Sequence, residues 1–245
     1  MAKSRTFQRI KERCIESVLF LAASSSIAIT LGIVGVLLLE SVRFFREVSI
    51  VSFLTDTQWT PLFSEPHYGI LPLVCGTLVT TGVALSVAIP VGTIVAVYLS
   101  EYAPHRMREI IKPSLELLSA IPTVVFGYFA LLIVTPALQK IVPGLPGFNM
   151  LSAGLVLGVM IIPYVSSLSE DAMRAVPVYI REGAYAMGTT RLQTAFGVVV
   201  PSAFSGIAAA YVLGVSRAIG ETMIVAIAAG MQHTLTFNPL QPAAT

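Results

Sequence analysis

The sequence predicts an all-α, polytopic transmembrane helical bundle, on three observations. Residues of the AVILMFWYC set make up 55% of the 245 residues, and the mean hydropathy is +0.82. Charged residues make up 11%, where a soluble domain carries about 25%. Five apolar segments approach the ~20 residues that a helix needs to cross a bilayer. This composition excludes a disordered chain, and a net charge of +2 gives no basic footprint for nucleic acid.

Each predicted span is a long apolar run bounded by polar segments. The first run is longer than the apolar core of a secretory signal, so we interpret it as a retained span. The five predicted spans are Val18–Leu39, one within Ile70–Leu99, Ser114–Leu138, Leu151–Leu168, and one within Ser202–Gly230.

Basic residues predict the orientation, because cytoplasmic segments carry an excess of lysine and arginine. Eleven of the fifteen lie before the first span or in the segments after the second and fourth spans. This predicts a cytoplasmic N-terminus and, with five spans, an external C-terminus. The expected location of the chain is the cytoplasmic (inner) membrane. The predicted organisation is a cytoplasmic segment over 1–17, a first span and external loop over 18–69, and a transmembrane domain over 70–245.

Helix breakers lie inside several predicted spans, namely Pro90, Pro122 and Pro163. Proline removes a backbone donor, and the freed carbonyl then needs protein or water beside it at membrane depth. Around Pro122 the break is flanked by the hydroxyl side chains of Ser119 and Thr123. These two residues fit the wall of a substrate pathway, and they fit a tight helix–helix seam equally well.

Arg217 and Glu221 are the strongest chemical indication in the chain, because both lie within the fifth predicted span. A separation of four residues places them on one helix face. A buried arginine costs about 2.5–3.5 kcal/mol on insertion scales, and such residues usually face a pathway or substrate. The planar guanidinium suits oxyanions such as phosphate or carboxylate. An internal salt bridge that only joins two helices is the alternative.

The segment 170–201 is predicted to be a cytoplasmic loop made of short helices over 172–176, 178–187 and 191–200. Pro177 fits the first turn of a helix, and Gly188 fits a left-handed helix end. Thr189 or Thr190 then fits the next N-cap. Such a helix-turn-helix suits docking of a soluble partner, and a helix lying in the headgroup layer is the alternative.

The spacing of residues in this segment resembles the EAA loop of ABC importer permeases. That pattern is Glu-Ala-Ala, three residues, Gly, nine residues, and Ile-x-Leu-Pro. The resemblance implies a coupling element that sits in a cleft of a cytoplasmic ATPase. The residues that match or replace the pattern are Glu182, Gly183, Ala184, Gly188, Val198, Val200 and Pro201.

Three further segments narrow the resemblance: Gly69–Leu73, Glu116–Gly127 and Ser216–Met223. Together they resemble the permease subunits of the phosphate-specific ABC importer, most closely its PstC-type subunit, with a MetI-like helical fold. In that family the residues that match Arg217 and Glu221 are implicated in moving phosphate. Members normally have six spans, so we expect the sixth to be missing from this sequence.

The resemblance implies a permease subunit that forms part of the pathway for inorganic phosphate. The expected partners are a second, similar permease, two ATPase subunits and an extracytoplasmic phosphate-binding protein. ATP hydrolysis is expected on the ATPase, because this sequence has no phosphate-cradling Gly-Lys-Ser/Thr run. No cofactor is expected on this chain.

Other functions stay open from the residues alone. A permease for a related oxyanion would use the same arginine. An ion-coupled secondary transporter could use Glu221 as a proton carrier, although such folds often show inverted repeats and we find none. An enzyme is not predicted, because hydrolase and metalloprotease motifs are missing from the sequence. The isolated cysteines and histidines predict no metal site.

Overall fold

The computed structural model describes residues 2–232 and 235–245, and the regular elements within them are helices. The one β feature in these ranges is an isolated bridge between Trp59 and Tyr68. The all-α fold class is therefore confirmed. The chain divides into two compact units, residues 1–54 and 55–245.

The first unit is dominated by one long helix, α1 (Ala2–Glu47), followed by α2 (Ile50–Thr55). The predicted span Val18–Leu39 lies wholly inside α1. From residue 11 onward its side chains are exposed or half-buried rather than buried. A helix that is apolar all round is either a membrane span or a core helix. The exposure of this apolar surface favours a span.

The second unit is a helical bundle with three π-helical turns, at Tyr98–Tyr102, Ala130–Val134 and Ala195–Val199. Its α-helices in chain order are α3 (Leu71–Val97), α4 (His105–Ser119), α5 (Thr123–Phe129), α6 (Thr135–Ile141), α7 (Met150–Arg174), α8 (Val178–Ala186), α9 (Arg191–Thr194), α10 (Val200–Ser202), α11 (Phe204–Ile219) and α12 (Met223–Ala228).

Within the described ranges, four helical segments are long and apolar enough to cross a membrane. They cover 11–47, 71–102, 123–141 and 150–174. A fifth is obtained if 191–202 and 204–219, which meet at an angle of 75°, count as one broken span. The prediction of five spans therefore holds only with this bent pair included.

The third predicted span, Ser114–Leu138, was placed too early in the chain. Residues 105–119 form the separate amphipathic helix α4, and a new helix starts after Pro122. Pro122 precedes the first residue of α5 in an extended conformation, with ψ of 134°. Because proline has no backbone N–H to donate, the helix is interrupted there. Pro90 and Pro163, in contrast, lie inside continuous helices.

Helix α7 is the centre of the bundle, and it packs against α3, α4, α5, α11 and α12. Its contact with α3 is close because glycines on α7 face the α3 backbone. A methyl group at Gly158 would lie 2.7 Å from the carbonyl oxygen of Ala84, and one at Gly154 would lie 2.7 Å from Val83. Small residues at such a seam let two helix backbones approach, as in many membrane bundles.

The start of α7 is held by its own cap and by the last residues of the chain. The Asn149 side chain accepts a hydrogen bond from the backbone N–H of Ser152 at 2.7 Å. The backbone N–H groups of Met150 and Leu151 donate to carbonyls of Gln241 and Pro239. The first N–H groups of a helix lack intrahelical partners, so residues 239–241 satisfy two of them.

Candidate functional site

Arg217 and Glu221 form an ion pair where α11 ends. One guanidinium nitrogen, Nη2, lies 3.7 Å from Oε2 of Glu221. The two side chains differ in exposure: that of Glu221 is 5% exposed and that of Arg217 is 43% exposed. The guanidinium carbon also lies 5.9 Å from the ring centre of Tyr164 on α7, a cation–π contact.

The fifth predicted span, within Ser202–Gly230, is not one continuous helix, because it is interrupted at this pair. Helix α11 ends at Ile219, and α12 starts at Met223. The other carboxylate oxygen of Glu221, Oε1, accepts from the backbone N–H groups of Met223 and Ile224 at 3.1 and 3.4 Å. The buried carboxylate therefore stabilises a new helix start beside the arginine.

An open cavity of about 380 Å³ lies against the exposed side of this pair. The polar groups of the cavity come from Tyr164, Ser216 and Arg217, and two leucines form its apolar wall. A distance of 3.7 Å to Glu221 is longer than a hydrogen bond, so the carboxylate does not engage the guanidinium donors tightly. The lining residues are Tyr164, Leu168, Leu213, Ser216, Arg217 and Gly220.

Ser119 and Thr123 lie on either side of the break between α4 and α5, and they are not lining residues of this cavity. The Ser119 hydroxyl donates to the carbonyl of Glu116 at 2.7 Å. Thr123 is the first residue of α5, and α5 packs against α12, which begins two residues after Glu221. The structure thus brings Arg217 and Glu221 together and leaves Ser119 and Thr123 as separate predictions.

The segment 170–201 folds into the predicted helix-turn-helix, although its first short helix is the end of α7. Pro177 is the N-cap of α8, and Gly188 has a φ of +85°, the left-handed region that favours glycine. Thr190 caps α9 in a capping box with Gln193. The turn is closed by the Thr189 hydroxyl, which donates to the carbonyl of Ala184 at 2.8 Å.

We call α8, the turn after it and α9, residues 178–194, the elbow. Most of the residues matched to the coupling pattern are exposed on it or beside it. Glu182 and Gly183 on α8 are exposed, Ala184 is half-buried, and Gly188 and Pro201 are exposed. Large apolar side chains are exposed beside them, including Tyr179 and Met187. An exposed apolar patch rimmed by polar groups is typical of a protein contact.

An ion cluster around the buried Glu170 lies at the end of α7, where the segment 170–201 begins. The carboxylate of Glu170 is fully buried, and it accepts from Nε of Arg108 at 2.7 Å and from Nζ of Lys112 at 2.9 Å. Arg174 lies 3.7 Å away, and Asp171 also binds Lys112. These charges join α4 to α7, since buried charges need partners.

The pKa of Lys112 reflects this surrounding. Burial alone would lower the pKa, because it disfavours the charged ammonium group. Hydrogen bonds to Asp171 and Glu170, with the negative charges of both, outweigh that effect and raise the pKa of Lys112 above its ordinary value.

Two features of the site were missed from the sequence. Tyr164 lies 53 positions before Arg217, and no spacing rule joins them. The Glu170 cluster was not predicted, because its cations Arg108, Lys112 and Arg174 were counted only toward orientation. A glutamate at the end of an apolar run is the signal that indicates it. Within the described ranges, no three His, Cys, Asp or Glu side chains gather closely enough to hold a metal ion.

The family described as "Binding-protein-dependent transport system inner membrane component" matches residues 88–238. A probable ABC transporter permease protein, YqgH of Bacillus subtilis, is 36% identical over 246 residues, covering 99% of this chain and 78% of the relative. The chain belongs to this family. It is therefore a membrane subunit of a binding-protein-dependent transport system and not itself an enzyme.

Two further proteins are similar to this chain. The phosphate transport system permease protein PstC of Xylella fastidiosa is 33% identical over 246 residues, covering 93% of this chain and 75% of the relative. A chain from inward-facing structures of the MetNI methionine ABC transporter shares 20% identity at a TM-score of 0.49, over 62% of this chain and 68% of that one.

Proposed function

We propose that this family member is the permease subunit of an ATP-driven importer and forms part of the pathway for inorganic phosphate across the cytoplasmic membrane. The observation that carries the proposal is the Arg217 guanidinium, 43% exposed on an open cavity while its carboxylate partner is buried. The names of relatives such as the Xylella fastidiosa PstC protein support phosphate as the substrate.

The chemistry of this pair suits an anion that must bind and then leave. A guanidinium presents a rigid fork of N–H donors that fits two oxygens of a phosphate group. Glu221 is held by two backbone N–H groups of α12, so it stays in place when the arginine moves toward substrate. A fixed negative charge close by weakens the hold of Arg217 on phosphate, and transport needs release as well as binding.

The break between α4 and α5 is the second part of the proposed pathway. The hydroxyl groups of Ser119 and Thr123 flank backbone that Pro122 leaves without a helical donor. Irregular backbone at membrane depth is tolerated where it lines a water-filled cavity or is buried in protein. We propose that these two residues line the same pathway as Arg217, at a separate point along it.

The exposed elbow supports an ATPase partner, and the description of the family as binding-protein-dependent supports a binding protein. The surface around Glu182, Gly183 and Gly188 would dock one of two ATPase subunits, which hydrolyse the ATP; this chain binds no cofactor. A second permease of similar fold would complete the pathway, and an extracytoplasmic phosphate-binding protein would deliver substrate. The N-terminus would lie in the cytoplasm.

Reconstituted transport tests the substrate and the energy source together. The complete complex in proteoliposomes should accumulate radiolabelled phosphate only with ATP and with the binding protein present, and excess sulfate should not compete. Uptake driven by a proton gradient without the ATPase subunits would show a secondary transporter. Uptake of sulfate in preference to phosphate would show a permease for another oxyanion.

A further inference from the structure

Arg181 on α8 is a half-buried link between the elbow and two other helices. Its side chain is 15% exposed, although the next two residues, Glu182 and Gly183, are exposed. Its terminal nitrogens donate to the backbone carbonyls of Val176 and Met173 at 2.6 and 2.7 Å. These carbonyls belong to the end of α7 and to the turn after it, where the last carbonyls of a helix lack intrahelical donors. The Met173 carbonyl also accepts from the backbone N–H of Val176 at 3.2 Å, so Arg181 is an additional donor there.

The same guanidinium holds Glu101, which lies in the π-helical turn that ends α3. Nε and Nη2 of Arg181 approach the Glu101 carboxylate at 3.1–3.4 Å. Glu101 is 4% exposed and also accepts from the Ser100 hydroxyl at 2.8 Å. π-Helical turns are rare and frequently occur at functional sites. One arginine therefore fastens α8 to the ends of both α3 and α7.

Helix α3 in turn is hydrogen-bonded to the helix that carries Arg217. The hydroxyls of Thr93 on α3 and Tyr211 on α11 lie 2.6 Å apart. Arg217 follows Tyr211 by six residues and lies in the last turn of α11. The contacts thus run from α8 to α3 and from α3 to α11, without passing through the Glu170 cluster, which joins α4 to α7.

We propose that Arg181 is a positioning residue for coupling: through Glu101 it transmits movement of the docked elbow to α3, and α3 passes it to α11. The inference rests on the proposed function, because it needs an ATPase docked on α8. Replacing a buried ion pair by apolar residues often leaves stability unchanged or improves it, so holding α8 in place does not itself require this pair. A charged, directional link suits an element that must move with its partner.

Hydrogen–deuterium exchange on the assembled transporter tests the transmission without relying on which anion is carried. In the wild-type complex, magnesium ATP with vanadate should change the rate of amide hydrogen exchange in residues 178–188 of the elbow and in the segment 98–104. In the Glu101→Gln complex, the elbow should respond as before while the response of 98–104 falls at least about fivefold, the low end of typical coupling factors. Glu101→Gln retains the side-chain shape and leaves the Arg181 bonds to α7.

Glu109→Gln is the matched control, because Glu109 pairs with His105 in an exposed contact within α4. It should respond like the wild type. If the Glu101→Gln complex does not assemble, Arg181→Lys tests the same link, because lysine keeps the charge but lacks the planar fork. The exchange response of 98–104 should again fall. A response of 98–104 equal to the wild type in the assembled variant, or no response in the wild type, overturns the inference.

Phosphate uptake by the same preparations separates this inference from the proposed function. A wild-type complex that transports no phosphate would refute phosphate as the substrate. The exchange measurement would still test the Arg181–Glu101 link. Wild-type uptake with an unchanged exchange response in Glu101→Gln would overturn only the link. With the link intact in the wild type, uptake by Glu101→Gln should also fall.

Discussion

Replacing Gly158 with alanine should push apart the two most closely packed helices of the bundle. The added methyl would lie 2.7 Å from the carbonyl oxygen of Ala84 and 3.2 Å from Val87. The first contact is with backbone, so no side-chain rotation relieves it and α7 must move away from α3. Overpacking of this kind costs about 1–3 kcal/mol.

Gly82→Ala on α3 is the matched control, because a methyl there meets nothing within 4 Å. Both substitutions gain about 0.8–1.0 kcal/mol in helix propensity. The difference in unfolding free energy between the two variants therefore isolates the steric cost, which should be about 1–3 kcal/mol. Denaturation in mixed detergent, followed by circular dichroism at the helix band, measures this difference. A Gly158→Ala variant as stable as Gly82→Ala would refute the close approach of α3 and α7.

Three further outcomes concern the cluster and the elbow. Glu170→Gln should lower the unfolding free energy by about 1–3 kcal/mol in the same denaturation assay, because it leaves two half-buried cations without their buried carboxylate; an unchanged midpoint would contradict this. Because binding to Asp171 and Glu170 raises the pKa of Lys112, its stabilisation should be complete below about pH 10.4 and lost as the pH rises through the higher folded-state pKa; a pH titration of stability that shows no loss there argues against it. Gly188→Ala should destabilise the elbow by about 1–2 kcal/mol, because its φ of +85° is unfavourable for a residue with a side chain. This should be seen as faster amide hydrogen exchange over 178–190. Gly183→Ala, which has open space around it, should not change the exchange, and equal exchange in the two variants would count against the left-handed turn.

The elbow is the part of the site that local sequence rules predicted best. Pro177, Gly188 and Thr190 each act through their own backbone conformation or through a side chain three residues away, so no distant partner is needed to place them. The helix interruption at Pro122 is local in the same sense. The start of the third span was misplaced because apolar residues of α4 extend the hydropathy signal across the break.

The remaining features depend on residues far apart in the chain. Arg181 meets Glu101 across 80 positions, and Tyr164 meets Arg217 across 53. The interruption after α11 was not predicted, because hydropathy continues through it and only the capping contacts of Glu221 show it. Pairings of this kind are decided by helix packing, which one sequence does not reveal.

Phosphate uptake by the complete complex that carries Arg217→Ala tests the central claim most directly. The account predicts that uptake is lost while the partner subunits still co-purify, and that Arg217→Lys recovers little because lysine lacks the fork of donors. Uptake by Arg217→Ala at the wild-type rate would show that this guanidinium is not on the route of the anion.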